Sequence, residues 1–353
     1  MDSKKLFGER LKGARANLGL SLRDLASEIG VTAQTLSNYE RGEIMPKSPV
    51  LIELARALKV KVEYFFRQTA LPALTALEFR KKNALNVKEQ NTIMATIREW
   101  LERYQQVEAL FPLTNKTAIS QKDIVEIFEE AEVETEAIKL REKWKLGLAP
   151  IESMVALLEE NGIRVYLIKA ANSFDACTFW VGDRPGIVAN EDLPGDRLRF
   201  NLAHELGHLV LKTPEDGNKR QREKPAMRFA GAFLVPEVVV KKELGEVRSR
   251  LNLEELHLLK HKYGLSMSAW VYRAKDLGII SPALTQKFYT ILRQRNWSVI
   301  EPGTPYPQEL KPSRLKQLVL RAYAESIISE TKAAELLGQS LITFHEERLN
   351  QNA

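Results

Sequence analysis

The sequence predicts a mainly α-helical protein with one small β-sheet, an α+β chain of more than one domain. Its 353 residues exceed what a single ordinary hydrophobic core holds. Helical spacing of apolar residues dominates residues 4–66, 87–110 and most of the chain beyond 225. Short strand-like runs are confined to residues 163–189, where Gly and Pro residues separate them at predicted turns.

Composition and charge indicate a globular chain with a basic N-terminal region. Hydrophobic residues make up 44% of the chain and charged residues 28%, which are proportions of folded proteins. The formal net charge is +6, and residues 1–70 alone hold 12 Lys and Arg against 8 Asp and Glu. This excess fits a nucleic-acid partner, although a solvated helical surface would carry a similar one.

Cysteine usage and hydropathy predict a cytoplasmic protein with no membrane partner. Cys177 is the single cysteine, which excludes an intramolecular disulfide and a cysteine-based zinc cluster. Residues 1–15 are charged throughout and lack the apolar core of a signal peptide. The most apolar stretch, residues 229–240, contains Pro236 and is too short to span a bilayer.

Residues 4–66 predict a compact run of four helices. Ser21 and Thr32 are residue types that cap helix N-termini, and Gly30 and Gly42 are typical of helix ends. These signals divide residues 21–42 into two short helices joined by a tight turn.

The second of these short helices has two distinct faces. Its apolar face can seat it against the other helices through Val31, Leu36 and Tyr39. Its other face carries small side chains that can reach base edges in a major groove: Ala33, Gln34, Thr35, Ser37 and Asn38. Three basic residues are placed for phosphate contacts, which add affinity but no sequence choice: Arg23, Arg41 and Lys47.

Residues 4–66, including Tyr-Glu-Arg-Gly at 39–42, resemble the XRE or lambda-repressor-like helix-turn-helix family. The resemblance implies a lambda-repressor-like DNA-binding domain over residues 1–70, with a double-stranded operator as its partner. Arg23 is a departure, because many members carry Gln there. The alternative to a DNA-binding domain is a plain helical bundle. If the operator is palindromic, we expect the chain to bind it as a homodimer.

A second motif, His204-Glu205-Leu206-Gly207-His208, lies in a predicted helix over residues 197–212. Two histidines four residues apart face the same side of a helix, so both can bind one zinc ion. Glu205 beside them could act as a general base toward a water molecule. Two helix histidines without a metal are the alternative.

A catalytic zinc site requires a third protein ligand, for which the downstream chain offers four acidic candidates: Glu215, Asp216, Glu223 and Glu237. We favour Glu223, because a helical apolar stripe over residues 226–234 follows it and Pro225 is acceptable in the first turn of a helix. Glu215 and Asp216 follow Pro214 in a predicted surface loop.

Three runs around this motif resemble the ImmA/IrrE family of zinc metallopeptidases: residues 185–190, 195–208 and 223–236. With residues 79–82 and 143–147, the resemblance covers about residues 75–280. It implies a zincin-like metallopeptidase domain at 71–280, with Zn²⁺ held by His204, His208 and Glu223 and with Glu205 as the catalytic base. Met227 and Lys212 depart from it, since many relatives carry Asn and His there.

The remaining features predict structure more than chemistry. His257 and His261 are four residues apart on a helix, but neighbouring leucines indicate a packed helix and not a second metal site. Residues 178–181 or 186–189 could form a sheet edge that holds a peptide, or an inner strand. Residues 281–353 predict a C-terminal helical region, in which 329–338 resembles half of a helix-turn-helix and is interpreted as a plain helical hairpin.

Three functions remain open at this stage. The chain could be a DNA-binding regulator whose zinc-dependent peptidase domain cleaves a partner regulator such as a repressor. It could be a regulator whose zinc domain only senses or scaffolds, or an antitoxin-like autorepressor whose partner is a toxin. Glu205 favours the first, because a scaffold has no use for a general base.

Overall fold

The computed structural model describes residues 3–67, 85–111, 118–127, 129–171, 173–212, 219–297 and 300–351. Pro72, which marks the predicted boundary after the DNA-binding domain, therefore lies outside the described residues. So do the resemblance at 79–82 and residues Pro214, Glu215 and Asp216. Two compact units emerge from the backbone contacts. Of the described residues, the first unit contains 3–67, 85–111 and 315–351, and the second contains those between 118 and 314.

The first unit begins with the helices that the sequence predicts. They are α1 (Ser3–Asn17), α2 (Leu22–Glu28), α3 (Ala33–Glu40) and α4 (Ser48–Ala57), followed by a 3-10 turn at Val62–Phe66. Their apolar faces bury a common core that includes Phe7, Leu11, Leu25, Leu36 and Leu54. Burial of these apolar faces stabilises helices that are individually too short to persist in water.

The turn between α2 and α3 is fixed by its capping residues. The Ser21 hydroxyl accepts a hydrogen bond from the Asp24 backbone N–H, and Asp24 accepts one from the Ser21 N–H in return. Gly30 adopts φ 70°, a left-handed conformation that a residue with a Cβ rarely takes. Thr32 then caps α3 by accepting from the Thr35 N–H.

Four further helices among the described residues belong to the first unit: α5 (Val87–Glu108), α14 (Arg314–Ala324), α15 (Glu330–Leu337) and α16 (Leu341–Gln351). The predicted helix over residues 87–110 is therefore present. A second apolar cluster joins the end of α5 to the C-terminal helices through Val107, Val319, Ala333 and Phe344.

The turn from α15 to α16 repeats the local geometry of the turn from α2 to α3, so the resemblance noted at 329–338 extends through Ser340. Ser329 and Ser340 cap the two helices as Ser21 and Thr32 do, and Gly338 also has φ 70°. The surfaces differ, since α16 carries Ile342 and Glu346 at the positions of Gln34 and Asn38.

The second unit contains eight of the described helices and all of the described strands. Its helices are α6 (Glu130–Lys143), α7 (Met154–Glu160), α8 (Gly195–Val210), α9 (Lys219–Leu234), α10 (Glu237–Leu244), α11 (Leu253–Tyr263), α12 (Met267–Asp276) and α13 (Pro282–Gln294). Its strands are β1 (Val125–Glu126), β2 (Arg164–Ile168), β3 (Ala176–Val181), β4 (Arg184–Asn190) and β5 (Leu211–Lys212).

The predicted small sheet has the order β2-β4-β3. Strand β4 pairs in parallel with β2 and antiparallel with β3, so residues 186–189 lie in the inner strand and 178–181 at an edge. Helix α8 packs against β3 and β4 and also against α9. The mainly helical α+β fold class predicted from the sequence is confirmed.

Several local expectations are corrected. The sequence also predicts a helical segment over residues 117–147, but a 3-10 turn and β1 precede α6 there. Helix α8 begins at Gly195 and ends at Val210, so Asp196 lies in its first turn and Pro194 occupies the cap position. Helix α9 begins six residues before Pro225, which is therefore inside the helix and not in its first turn.

Among the residues that the structure describes, no helix has both the length and the apolar content needed to cross a membrane.

Candidate metal centre and DNA-binding helix

Helices α8 and α9 bring the predicted metal ligands together. His204 and His208 share one face of α8, and Glu223 lies in the second turn of α9. The two helices approach closely where Gly207 faces Ala226, since a Cβ at 207 would stand only 3.2 Å from the Ala226 Cα. A glycine at this position therefore allows the close helix packing that brings Glu223 to the histidines.

Among the described residues, His204, His208 and Glu223 form the one group of three His, Cys, Asp or Glu side chains that could hold a metal ion. The Glu223 Oε2 lies 3.0 Å from the His204 Nε2 and 3.3 Å from the His208 Nε2. The two histidine Nε2 atoms are 3.1 Å apart. All three donor atoms thus converge on one point.

This donor set fits a zinc ion. Two imidazoles and one carboxylate are a usual ligand set of catalytic zinc. Zinc-ligand bonds of about 2.0–2.1 Å at tetrahedral angles place neighbouring donors about 3.3 Å apart, close to the observed separations. The hydrogen bond with His204, and then that with His208, hold the pKa of the Glu223 carboxyl far below its usual range. A carboxylate that stays ionised is the form that binds a metal.

Glu205 lies on α8 between the two histidines and is only 3% exposed. An ionisable side chain that is buried in this way requires interactions with its surroundings. Glu205 directly follows His204 in α8, which is compatible with the predicted role of general base.

Arg141 holds α9 in place, a role that the sequence reading did not identify. Its guanidinium donates hydrogen bonds to the carbonyls of Phe233, Gly147 and Ala149. Burial lowers the pKa of Arg141 to about 10, so the group remains a cation at neutral pH. Phe233 also contacts Trp144 edge to face, with ring centroids 5.8 Å apart. The stretch 143–147 thereby helps to support the helix that carries Glu223.

Helix α3 presents the predicted base-reading face to solvent. Leu36 and Tyr39 are buried, whereas Gln34 is exposed and Ala33, Thr35, Ser37 and Asn38 are half-buried. The predicted phosphate-contacting residues Arg23, Arg41 and Lys47 are all exposed.

A hydrogen-bond chain orders part of this surface. Gln34 Nε2 donates to Asn38 Oδ1 at 2.9 Å, and Arg41 Nη2 donates to the same oxygen at 2.6 Å. Arg41 also forms an ion pair with Glu43, at 2.7 Å. These side chains must exchange partners in order to contact DNA.

Comparison with protein families matches two segments of the chain. A family model described as Helix-turn-helix matches residues 11–65. A model of peptidase family M78, described as IrrE N-terminal-like domain, matches residues 158–275. YonR, an HTH-type transcriptional regulator from the SPbeta prophage of Bacillus subtilis (strain 168), is 30% identical over 111 residues, which are 31% of this chain and 95% of YonR.

The chain belongs to the HTH-type transcriptional regulators. This regulator combines a DNA-binding helix-turn-helix domain with an IrrE-like domain, as its two resemblances predicted. A transcriptional regulator from Rhodospirillum rubrum is 39% identical over 59 residues, 17% of this chain and 55% of the relative. A regulatory protein from Methanococcoides burtonii is 33% identical over 89 residues, 25% of this chain and 26% of that relative.

Solved structures give only weak global alignments with this regulator. PlcR of Bacillus thuringiensis, crystallised with the peptide PapR7 and DNA, aligns with a TM-score of 0.18 and 12% identity over 98% of each chain. ComR of S. thermophilus aligns with a TM-score of 0.18 and 12% identity over 95% of this chain and 99% of its own. Such scores do not establish a shared overall arrangement.

The other candidate site residues lie apart from the metal group. Glu237, at the start of α10, pairs with Lys241. Lys212 pairs with Glu126 across β5 and β1. His257 and His261 both hydrogen-bond Thr304 and belong to no metal-binding group among the described residues.

Proposed function

We propose that this regulator is a zinc-dependent endopeptidase that cleaves a partner regulator protein, and that its helix-turn-helix domain confines it to an operator. The convergence of His204, His208 and Glu223 is the observation that carries the proposal. The match of residues 158–275 to the IrrE-like domain supports it, since M78 domains are generally zinc metallopeptidase-like.

The three ligands and Glu205 would divide the work of peptide hydrolysis. His204, His208 and Glu223 would hold the zinc and leave one coordination position for water or substrate. Zinc in such a site lowers the pKa of bound water and polarises a carbonyl oxygen. Glu205 takes a proton from the attacking water and delivers it to the nitrogen of the leaving amine, so the C–N bond breaks as a C–O bond forms.

The DNA-binding half would read its operator through α3. Ala33, Gln34, Thr35, Ser37 and Asn38 face the bases, whereas Arg23, Arg41 and Lys47 contact phosphates. A two-fold operator would be bound by two copies of the chain. Binding there raises the local concentration of the peptidase next to any repressor on the same DNA.

Two variants test the peptidase in one cellular assay of operator control. In Glu205→Gln the metal ligands remain, so zinc and DNA binding should persist while cleavage falls about 10²–10⁴-fold. In His204→Ala the metal is lost as well. Equal loss of function in both variants supports catalysis. Loss with His204→Ala alone would indicate a structural metal, and the endopeptidase assignment would then be abandoned in favour of a scaffold or an antitoxin.

A further inference from the structure

A cavity of about 710 Å³ in the second unit is lined in part by α8 and α9, the two helices that carry the metal group. Phe200 and Met227 line it, and they lie four residues from His204 and Glu223 on α8 and α9. Residues four apart on a helix share a face, with Cβ atoms about 6 Å apart. The cavity therefore begins one helical turn from two of the three metal-site residues.

Apolar and aromatic side chains form one wall of this cavity. Met227, which is 46% exposed, forms a wall with Phe200, Ala269, Tyr272 and Tyr289. Most of the charged side chains that line it are held in ion pairs: Arg228 with Asp276, Arg273 with Glu134, Lys260 with Asp196 and Glu301, and Arg197 with Asp175. Because these charges are largely neutralised, the cavity favours an apolar occupant over a charged one.

The outer wall comes from residues 300–310, which lie beyond the segment that matches the IrrE-like domain. We call this segment the strap. At one end, Glu301 accepts hydrogen bonds from Lys260 Nζ at 3.0 Å and from the Met267 and Ser268 N–H groups of α12. At the other end, Glu309 pairs with buried Arg199 at 2.7 Å.

Close packing also holds the middle of the strap. The Pro307 carbonyl lies against Gly195, where a Cβ would have no room. Gln308 Nε2 donates to the Leu193 carbonyl at 3.2 Å. Ionic anchors at both ends and this contact between them make the strap a fixed wall of the cavity.

We infer that the cavity and the strap form the subsite for a large apolar side chain, such as Phe, Leu or Met, beside the scissile bond of the substrate. This inference rests on the proposed peptidase function. Neighbouring Cα atoms in a peptide are 3.8 Å apart, so a residue flanking a carbonyl at the metal reaches one helical turn away. The cavity volume lies within the range of about 300–1,000 Å³ that is usual for small-molecule sites, so it has room for a large side chain together with the adjoining backbone of the substrate.

Calorimetry of the zinc-loaded full chain with two hydroxamate probes tests the subsite without turnover. Acetohydroxamate presents only the chelating group, and 3-phenylpropanohydroxamate adds a benzyl group that can enter the cavity. We expect the second probe to bind at least about tenfold more tightly, because its added apolar surface is buried. Ala269→Trp places an indole ring inside the cavity, where it competes with the benzyl group for space, and should reduce this ratio to about twofold or less.

Matched variants separate the subsite from general effects of the substitution. Ala131→Trp places the same side chain at an exposed position of α6 and should leave the ratio unchanged. Met227→Ala, at a partly exposed wall position, should lower the ratio without unfolding the chain. If both probes bind the unmodified chain with equal affinity, and only when zinc is present, the subsite is overturned and the proposed peptidase function still stands. Failure to bind zinc in the same titration would overturn the proposed function and the subsite with it.

Discussion

Arg10 of α1 and Glu102 of α5 form a buried, two-point salt bridge in the first unit. The guanidinium Nη1 and Nη2 atoms lie 3.0 Å and 2.9 Å from the carboxylate oxygens, and the two residues are 0% and 2% exposed. Arg10 also donates to the Arg67 carbonyl, at 2.9 Å. A helix of the DNA-binding domain is thereby tied to a helix that lies outside residues 11–65, the matched segment.

Removing one partner of this pair should destabilise the first unit strongly. Glu102→Gln leaves the Arg10 guanidinium buried without its counter-charge, which costs about 3–5 kcal/mol. Hydrogen exchange of the α1 and α5 amides in the full chain measures this as a loss of protection in both helices. The double variant Arg10→Met, Glu102→Leu should recover most of the loss, because it removes both charges.

An exposed ion pair in the same unit serves as the control. Arg321 and Glu325 pair at 2.7 Å and are 51% and 46% exposed. Glu325→Gln should change stability by only about 0.5 kcal/mol. If Glu102→Gln has an effect as small as this, the buried pair does not hold α1 to α5.

Each of the three metal ligands should be required for zinc binding. We expect about one zinc per chain after dialysis against buffer, and loss of that zinc in His204→Ala, His208→Ala and Glu223→Ala. The loss should exceed the 10–100-fold weakening that follows removal of a typical outer-shell partner. Elemental analysis together with competition against a chelator gives the affinity.

His257→Ala is the matched control for this measurement, since His257 also lies four residues from a second histidine on a helix. It should retain full zinc content. Full occupancy in Glu223→Ala combined with an empty site in Glu215→Ala or Asp216→Ala would show that the third ligand was assigned wrongly.

The ion pair between Arg41 and Glu43 should weaken DNA binding in the unmodified chain. Glu43→Gln releases the arginine and should strengthen binding to all sequences, whereas Arg41→Ala should weaken binding to all sequences alike. The slope of log affinity against log salt should fall by about one in Arg41→Ala. Titrations at several salt concentrations measure both effects. Arg56→Ala, at an exposed position of α4, is the control and should leave the slope nearly unchanged.

Gln34 should contribute sequence preference more than affinity for nonspecific DNA. Gln34→Ala removes a side chain that can bond adenine in two places, so discrimination at one base pair should fall by about 1–3 kcal/mol. Binding to single-base variants of the promoter of its own gene measures this loss. Ser27→Ala, at an exposed position of α2, should leave the preference unchanged. An unaltered base preference in Gln34→Ala would remove Gln34 from the reading face.

Much of the local structure could be predicted from the sequence, because its signals act over a few residues. Ser21, Gly30 and Thr32 place the two helices of the DNA-binding motif through caps and a left-handed turn. The spacing of His204 and His208 places both on one face, since 3.6 residues complete a helical turn. These interactions require no knowledge of the rest of the chain.

Only the tertiary structure decided which distant side chains meet. Glu223 is 19 residues from His204, and its approach depends on how α9 packs at Gly207. The salt bridges of Arg10 with Glu102 and of Arg199 in α8 with Glu309 in the strap join residues still farther apart. The helical repeat fixes contacts within an element, whereas contacts between elements depend on the burial of whole faces. The sequence by itself therefore determined the motifs and their local geometry and favoured Glu223 as the third candidate ligand. Helix packing decided that Glu223 meets the two histidines and that a cavity lies along α8 and α9.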